Sequence, residues 1–369
     1  MRADEDYIEA VLGIVELIPR GRVTTYGAIA DVVGSGPRLV GNVMARHGGP
    51  VPWWRVVRAD GSLPPSHHDE GRARYLEEGT PLRRSGISVD LAATFWQPRR
   101  VTSHVGTLLA AYDSQLRGEA EVAMAPYWDT AGPLWRAAYG ERGQVSYEDL
   151  AGHDLEGLVA ATVAFYSARP EIHEFEWRNR GHDDLPGLYD VLLAAGFVAE
   201  EVETVMVGEA AALAVDVSPP EGVVVRRIDT DPDRERLLAA TAALQRDVFG
   251  RGGGGESLLD RVERREGGME VWVAQTAEVT DPPYEGLVSA GRLEFVPDTD
   301  FAGLWGGATL PQWRGQGISR ALTAARARSA LARGARWLQS DCTEMSRPIL
   351  ERSGLVAVTP TTPYVWTRS

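Results

Sequence analysis

The chain of 369 residues is 44% hydrophobic and carries 38 basic against 52 acidic residues, a formal net charge of −14 at pH 7. This length predicts two or three domains, and this charge argues against indiscriminate binding of nucleic acid by the whole chain. A single cysteine excludes an internal disulfide, no apolar run reaches the ~18 residues of a membrane span and no Cys/His group has metal-ligand spacing, so we expect a cytoplasmic protein that uses neither membrane nor metal.

Two stretches of the sequence resemble linkers. Residues 97–104 follow an aromatic pair, and residues 209–221 end in Pro-Pro before a new apolar run. They predict domains at 1–98, 104–208 and 218–369, each long enough to hold its own core.

The first predicted domain contains two helices in succession. Thr25 can cap a helix that runs to Val33, residues 34–36 read Gly-Ser-Gly, and Pro37 suits the first turn of a second helix that ends near Arg46. This spacing is typical of a helix-turn-helix and also of a plain helical hairpin. Residues 1–100 carry 13 Arg against 12 acidic residues, whereas the remainder carries 25 against 40, so any basic face lies in this domain.

A longer match favours nucleic-acid binding. Residues 7–96 resemble the DNA-binding domain of alkylguanine-DNA alkyltransferases through RGRVTTYG at 20–27, a helix with Arg38, Gly41 and Met44, and PWWRVV at 52–57. The resemblance implies that Tyr26 helps to rotate a nucleotide and that Arg38 replaces the flipped base in the stack. The candidate DNA-binding residues are Tyr26, Arg38, Gly41, Trp53, Trp54 and Arg55.

The alkyl acceptor of that family is missing. Trp53 stands at the position of the acceptor cysteine and Trp54 at that of the neighbouring histidine, so we expect no alkyltransferase activity. The segment is therefore more similar to the alkyltransferase-like proteins, which have Trp for Cys, usually keep the His, and bind alkylguanine lesions in DNA. A tryptophan there could stack on a flipped base; alternatively, the two indoles fill the emptied pocket.

The middle domain shows a weak internal repeat with the end of the chain. At an offset of 158 residues, Gly196, Val198, Ala199 and Thr204 recur as Gly354, Val356, Ala357 and Thr362. We interpret this as a duplicated fold whose first copy has diverged. At the same offset Glu156 stands opposite Arg314, so the first copy keeps no counterpart of the glycine motif described next.

The last domain alternates strands and helices, which predicts a mixed α+β sheet. A glycine loop at 252–255 and a turn at 281–283 interrupt the pattern. Strands are predicted at 222–228, 270–275, 287–295, 304–310, 337–341 and around 364–366, and helices at 232–249, 319–333 and 346–353.

The sharpest motif in this domain is RGQGIS at 314–319, between a predicted strand and a predicted helix. Glycines let successive N–H groups point at one spot, and the helix adds the positive end of its dipole. Because the chain has no lysine, phosphate contacts must come from arginine, backbone N–H groups or hydroxyls. A plain glycine turn is the alternative, but the strand-loop-helix context favours a pyrophosphate site.

This region, residues 222–366, resembles the GNAT family of N-acetyltransferases. The family's Arg/Gln-x-x-Gly-x-Gly/Ala motif is met by Arg314, Gly317 and, with serine as a departure, Ser319. The resemblance implies acetyl-CoA as co-substrate in a gap between two splayed strands, with strand 304–310 along its pantetheine arm and an amine as acceptor. The expected cofactor-binding residues are Thr309, Leu310, Arg314, Gly315, Gln316, Gly317, Ile318 and Ser319.

The catalytic residues are less clear in the sequence. Leu350 stands where many GNAT members carry a tyrosine acid, so Tyr364 or water is the candidate proton donor. Glu294 and Asp341 are candidate bases, as is Glu344. Cys342 could carry an acyl group, although a buried thiol on a core strand is the simpler interpretation.

Together these patterns predict a multidomain α/β and α+β protein, with a winged helix-turn-helix-like alkyltransferase domain followed by a tandem GNAT mixed-sheet fold whose first half is degenerate. The predicted function is acyl-CoA-dependent N-acyl transfer by an enzyme that also binds double-stranded DNA at alkylguanine. The alternative is a small-molecule amine N-acetyltransferase whose N-terminal domain is vestigial or an interaction module. The acidic C-terminal portion favours a cationic acceptor.

Overall fold

The computed structural model describes residues 2–49, 51–84, 86, 88–98, 104–250, 256–276 and 284–368. It divides the chain into two compact units, Met1–Gln115 and Leu116–Ser369. The predicted glycine loop at 252–255, the predicted turn at 281–283 and residues 99–103 of the first predicted linker lie outside the described residues.

The first unit is mainly helical. Two short strands, β1 (Thr24–Thr25) and β2 (Val56–Val57), pair in parallel, and Trp53–Arg55 form a 3₁₀ turn directly before β2. The helices are α1 (Arg2–Glu16), α2 (Tyr26–Val33), α3 (Pro37–His47), α4 (His68–Glu78), α5 (Leu91–Thr94) and α6 (His104–Gln115).

Helices α2 and α3 begin and end where the sequence places their caps. Thr25 Oγ1 accepts a hydrogen bond from the N–H of Ala28 at 3.1 Å and so begins α2. Gly34 ends α2 with a φ of 69°, which glycine adopts without strain. Pro37 begins α3, where its missing N–H is not needed. Both predicted helices are confirmed.

The second unit is built on one mixed sheet. Its strand order is β3-β4-β5-β6-β14-β8-β13-β12-β11-β10-β9, with β7 beside β14. The strands are β3 (Tyr127–Ala131), β4 (Leu134–Tyr139), β5 (Arg142–Tyr147), β6 (Glu174–Arg180), β7 (Val198–Ala199), β8 (Glu203–Glu209), β9 (Val223–Arg227), β10 (Met269–Thr276), β11 (Leu287–Phe295), β12 (Phe301–Thr309), β13 (Trp337–Cys342) and β14 (Val356–Thr367). The helices are α7 (Glu119–Val122), α8 (Leu155–Ser167), α9 (Leu188–Ala194), α10 (Ala210–Leu213), α11 (Arg234–Phe249), α12 (Leu258–Arg264), α13 (Ile318–Ala332) and α14 (Arg347–Ser353).

The sheet contains one substructure twice, as the repeat predicts. In the first half β5 and β6 run parallel and α8 connects them; in the second half β12 and β13 run parallel and α13 connects them. Each half pairs with the last strand of the other, because β14 lies against β6 and β8 lies against β13. Strands β8 and β14 also pair with each other, so the two halves form one continuous ladder.

Three elements differ from the predictions. The last strand, β14, covers twelve residues rather than three; it contains Pro360 and Pro363, which argue against a central strand, and its register shifts next to Pro360. The predicted linker at 209–221 begins with α10, which buries Ala210 and Leu213 in the core, so that prediction is wrong for its first half. The sequence pattern also missed α12.

No helix of the described ranges combines the length and the apolar character that a membrane span requires.

Replacing Thr25 with alanine should destabilise α2 by about 1 kcal/mol, because the N–H of Ala28 loses its acceptor. Hydrogen exchange of the α2 amides in the intact chain measures this. Thr25→Ser keeps the hydroxyl and should exchange like the wild type, and unchanged exchange in Thr25→Ala would contradict the capping role.

Candidate active site and candidate nucleic-acid interface

The glycine loop between β12 and α13 is open to solvent. Gly315 and Gly317 have φ values of 76° and 80°, a left-handed conformation that favours glycine. A Cβ added at either glycine would meet no other atom within 4 Å. Gly317 begins α13, and within the described part of the chain no side chain caps it. The first N–H groups of α13 and the positive end of its dipole are therefore available to an anion.

The predicted cofactor-binding residues divide into an exposed group and an anchoring group. Residues 314–317 are exposed, and Arg314 Nε donates to the carbonyl of Thr309 at 3.1 Å. Leu310 and Ile318 are buried, and the N–H of Leu310 is already bonded to the carbonyl of Val288 at 3.0 Å. The anchors therefore hold the two ends of the loop, while the loop itself remains free to bind.

Beside this loop, β12 and β13 separate. They pair only where Phe301–Gly303 face Trp337–Gln339. At the next residue Ser340 Oγ donates to the carbonyl of Leu304 at 2.8 Å, and residues 305–309 have no ladder partner on β13 among the described residues. The parting leaves an unpaired strand edge that leads toward the glycine loop.

The opposite edge of β12 contains a bulge. The ladder between β11 and β12 shifts register between Ala290 and Arg292, opposite Gly306 and Gly307. Gly306 has a φ of 60°, and its carbonyl accepts a hydrogen bond from Gln245 Nε2 at 2.7 Å. The two glycines therefore bend the strand at the middle of the gap.

The counterpart loop in the first half is blocked. Asp154 caps α8 by accepting a hydrogen bond from the N–H of Gly157 at 3.1 Å, so a carboxylate occupies the place where an anion would bind. Asp154 is the residue before α8 and Gly317 is the residue before α13, so these two residues are the structural counterparts. The sequence offset of 158, which pairs Glu156 with Arg314, therefore does not hold at this loop.

Side chains also fill the gap between β5 and β6. Glu121 accepts from Ser146 Oγ at 2.5 Å and from Arg180 Nη2 at 2.7 Å. Burial alone would raise the pKa of Glu121, but Arg180 and Ser146 stabilise the carboxylate and the pKa lies below its ordinary value. Beside them Asp183 binds Arg117 at 2.7 Å and Tyr147 at 2.9 Å. The first half is therefore closed where the second half is open.

Among the candidate bases, Glu294 is held by three cations. It accepts from Arg292 at 2.9 Å, from Arg265 at 3.1 Å and from Arg261 at 3.3 Å. Burial alone would raise the pKa of Glu294, but the three guanidinium groups keep this pKa below its ordinary value. A carboxylate stabilised in this way is a weak proton acceptor.

Asp341 has a more suitable environment. Its side chain is 10% exposed, contacts Arg178 and accepts from Gln339 Nε2 at 2.6 Å. Burial raises the pKa of Asp341, although Arg178 opposes this shift. Because Gln339 is the last residue of β13 that pairs with β12, Asp341 lies just beyond the point where the gap opens.

The structure does not bring the other candidates to the gap. Tyr364 packs in the core of the first half with Trp177 and Tyr189, and β8 and β13 separate its strand from β12. Cys342 is buried, and burial raises the pKa of its thiol to about 11, which disfavours the thiolate that an acyl carrier needs. Leu350 packs against the core. No group of three or more His, Cys, Asp or Glu in the described ranges could hold a metal ion.

In the first unit, the two adjacent tryptophans have different environments. Trp54 Nε1 donates to Glu78 at 2.9 Å, and Arg55 forms a buried ion pair with the same carboxylate at 2.9 Å. Trp53 is partly buried, 5.8 Å from Trp54 in an edge-on arrangement and 5.0 Å from the ring of His67. Glu78 therefore holds Trp54 and Arg55 in the framework, whereas Trp53, which is partly buried like Trp54, packs against aromatic rings.

The exposed face of α3 carries the candidate contact residues. Arg38 and Arg46 are exposed, whereas Val40 and Val43 are buried against the rest of the unit. A Cβ added to Gly41 would meet no atom within 4 Å, so nothing in the free protein requires glycine there. Tyr26 begins α2, and burial raises the pKa of its hydroxyl although Arg58 opposes this.

Sequence reasoning missed three residues that shape these sites. Glu78 and Arg178 give no local signal, because their partners lie far away in the chain. Asp154 does give one, since an aspartate three residues before Gly157 and directly before a helix is typical of a cap.

Comparisons with known proteins agree with this division. Residues 6–79 match the family model of the 6-O-methylguanine DNA methyltransferase, DNA binding domain. Over 102 residues the chain is 37% identical to a DNA base-flipping protein from Escherichia coli, and this match covers 26% of this chain and 78% of that protein. Over 110 residues it is 34% identical to alkyltransferase-like protein 1 from Schizosaccharomyces pombe, which covers 27% of this chain and all of that protein (100%).

The second unit has a known fold. A GCN5-related N-acetyltransferase from Kribbella flavida superposes on 67% of this chain and 91% of its own length, with a TM-score of 0.52 and 16% identity. At this identity the likeness shows the fold alone. The predicted GNAT mixed-sheet fold is therefore confirmed.

Replacing Glu78 with alanine should lower the free energy of unfolding of the first unit by roughly 3–5 kcal/mol, because it leaves the buried Arg55 without its carboxylate. Urea unfolding of the full chain, followed by tryptophan fluorescence, measures this. Glu77→Ala removes an exposed side chain that pairs with Arg74 and should change stability by about 0.5 kcal/mol or less. Equal stability of the two variants would contradict the structural role of Glu78.

Proposed function

Because the chain belongs, through its N-terminal unit, to the family of alkyltransferase-like proteins, we propose that this unit binds double-stranded DNA at alkylated guanine and turns the base out of the helix. Arg38, exposed in the first turn of α3, enters the base stack, and Tyr26 supports the rotated nucleotide. Trp53 offers its ring for stacking on the extruded base. No alkyl group is transferred, because no thiolate stands at this position.

We propose that the second unit transfers the acyl group of acetyl-CoA to an amine. The contrast between its two halves is the observation that carries this proposal. Helix α13 begins at an uncapped glycine loop beside an unpaired strand edge, whereas α8 begins at a carboxylate cap beside a filled gap. Only the second half therefore has the backbone donors and the space that a pyrophosphate with a long arm requires.

Separate groups of residues bind the co-substrate and accept the proton. The N–H groups of residues 315–319, with Arg314 and the hydroxyl of Ser319, hold the pyrophosphate, and the open edge of β12 pairs with the arm. The amine nitrogen attacks the thioester carbon of the co-substrate, the carbon–sulfur bond breaks, and CoA leaves as a thiolate that takes a proton from water. Asp341 accepts the proton of the amine, because it lies just beyond the point where β12 and β13 separate and because burial raises its pKa, which makes it a better proton acceptor than an ordinary carboxylate. Glu294 instead orders the arginines around it.

Replacing Gly317 with glutamate should abolish the rise in melting temperature that acetyl-CoA causes, because the new carboxylate repels phosphate and β-carbon strain opposes a φ of 80°. Gly152→Glu is the matched control, since Gly152 has a φ of 78° with open space around it in the counterpart loop of the first half. Equal stabilisation of both variants by acetyl-CoA would remove the phosphate-loop assignment.

Replacing Arg38 with alanine should weaken binding to a duplex that contains O6-methylguanine by about tenfold, since a stack-filling cation is lost. Fluorescence anisotropy measures the affinity, which should fall steeply with salt for the wild type. Equal wild-type affinity for damaged and undamaged duplex would contradict lesion binding and favour the alternative, in which the N-terminal unit is vestigial or an interaction module.

A further inference from the structure

The face of the second unit's sheet opposite α13 carries two charged clusters. On β13, Leu338 and Cys342 pack in the core beneath α13, so the alternate residues, Gln339 and Asp341, lie on the other face. On β11, Leu293 packs in the same core, so Glu294 also lies on the other face, where it meets arginines of α12. Both clusters therefore border one surface.

The first cluster has an excess of positive charge. Among the described residues, two carboxylates, those of Glu256 and Glu294, face the four arginines of this cluster, which leaves two positive charges in excess; the arginines are Arg261, Arg264, Arg265 and Arg292. The side chain of Arg261 is 34% exposed and its acceptor, Glu294 Oε1, lies at 3.3 Å, so Arg261 can turn to a ligand. Arg292 lies over the bulge, since a Cβ at Gly306 would stand 2.3 Å from Arg292 Nη1.

A buried arginine on the α13 face of the sheet adds to the positive electrostatic potential of the first cluster. Arg326 of α13 is 5% exposed and donates to the carbonyl of Arg292 at 3.0 Å. Its other acceptors are the carbonyl of Leu322 and Thr323 Oγ1, and no carboxylate contacts it within the described chain. Burial and the charge of Arg292 lower its pKa to about 10, so it is still charged at neutral pH. Arginine is tolerated here without a counterion, which places further positive charge beside the bulge.

The second cluster has the opposite sign. Arg178 of β6 contacts three carboxylates, those of Glu176, Glu203 and Asp341, which leaves two negative charges in excess. This cluster lies just past the point where β12 and β13 separate. It is therefore on the side of the gap where an attacking amine can give its proton to Asp341.

The bulge of β12 lies between the clusters. Arg292 belongs to β11 and Asp341 to β13, the two strands that flank β12, so their backbones are about 10 Å apart or slightly more. The first half of the unit closes the same surface, because Arg264 donates to the carbonyl of Met124 at 2.8 Å. An acceptor at the bulge thus meets opposite charges at its two ends.

We propose that the acceptor is a zwitterionic amine, an amine that also carries a carboxylate or phosphate, with its amine toward Asp341 and its acidic group toward Arg261 and Arg292. This inference rests on the proposed acyl transfer and specifies its acceptor class. The net charge of the C-terminal portion predicts a purely cationic acceptor, and this proposal replaces that prediction. A bound molecule responds to the charges within a Debye length rather than to the sum over the chain.

The test uses the full-length protein, acetyl-CoA and pairs of amines that differ by one acidic group. Phenylalanine is compared with phenethylamine, arginine with agmatine, and O-phosphoethanolamine with ethanolamine, and release of the CoA thiol is followed. In at least one pair the acidic member should have a kcat/KM about tenfold higher or more, since charge-assisted hydrogen bonds are worth this much. Arg261→Ala should raise KM for that acidic member about tenfold with little change in kcat. Arg261→Glu should reverse the preference, so that the amine without the acidic group is the better substrate of the pair.

Arg236→Ala is the control variant, because Arg236 is an exposed arginine paired with Asp233 and Glu285; it should retain the wild-type preference. Equal or better turnover of the members without an acidic group, or an unchanged preference in both Arg261 variants, would overturn the acceptor class and leave acyl transfer standing. Absence of turnover with every amine, in a protein that acetyl-CoA still stabilises, would overturn both proposals.

Discussion

The parting of β12 and β13 is the constraint on which the second unit depends. The two strands pair through Gly303 and Gln339, and then Ser340 Oγ takes the carbonyl of Leu304 that a neighbouring strand would otherwise bind. This hydroxyl satisfies the buried carbonyl of Leu304 where the strands diverge, and the strand edge beyond it stays unpaired with β13 among the described residues. The exposed strand edge, the glycine loop and the position of Asp341 all follow from that divergence.

The exchange of last strands explains why a blocked half is retained. Strand β8 of the first half completes the ladder beside β13, and β14 of the second half completes it beside β6. Removing either half would expose a strand edge of the other. The first half also supplies Arg178 to Asp341 and the carbonyl of Met124 to Arg264. The first half, whose loop before α8 is capped by Asp154, therefore forms one wall of the surface beside the gap.

The N-terminal unit shows a similar separation of framework from chemistry. One carboxylate, that of Glu78, accepts from the indole of Trp54, from Arg55 and from the N–H of Gly21, and so joins three segments of the unit. Because an indole N–H can donate to a carboxylate, Trp54 takes part in this network through its ring nitrogen. Trp53, at the position where the family carries its nucleophile, packs against the rings of Trp54 and His67.

The sequence by itself determined the features that contiguous residues encode. These are the caps of α2 and α3 at Thr25, Gly34 and Pro37, the left-handed glycines of residues 314–319, and the loss of a nucleophile at Trp53, because turn geometry, capping and side-chain chemistry are local. Tertiary structure decided which groups surround each charge. The three arginines at Glu294 come from α12 and β11, and Arg178 reaches Asp341 across 163 residues of chain. Such pairs depend on strand exchange and sheet register, which no local pattern specifies.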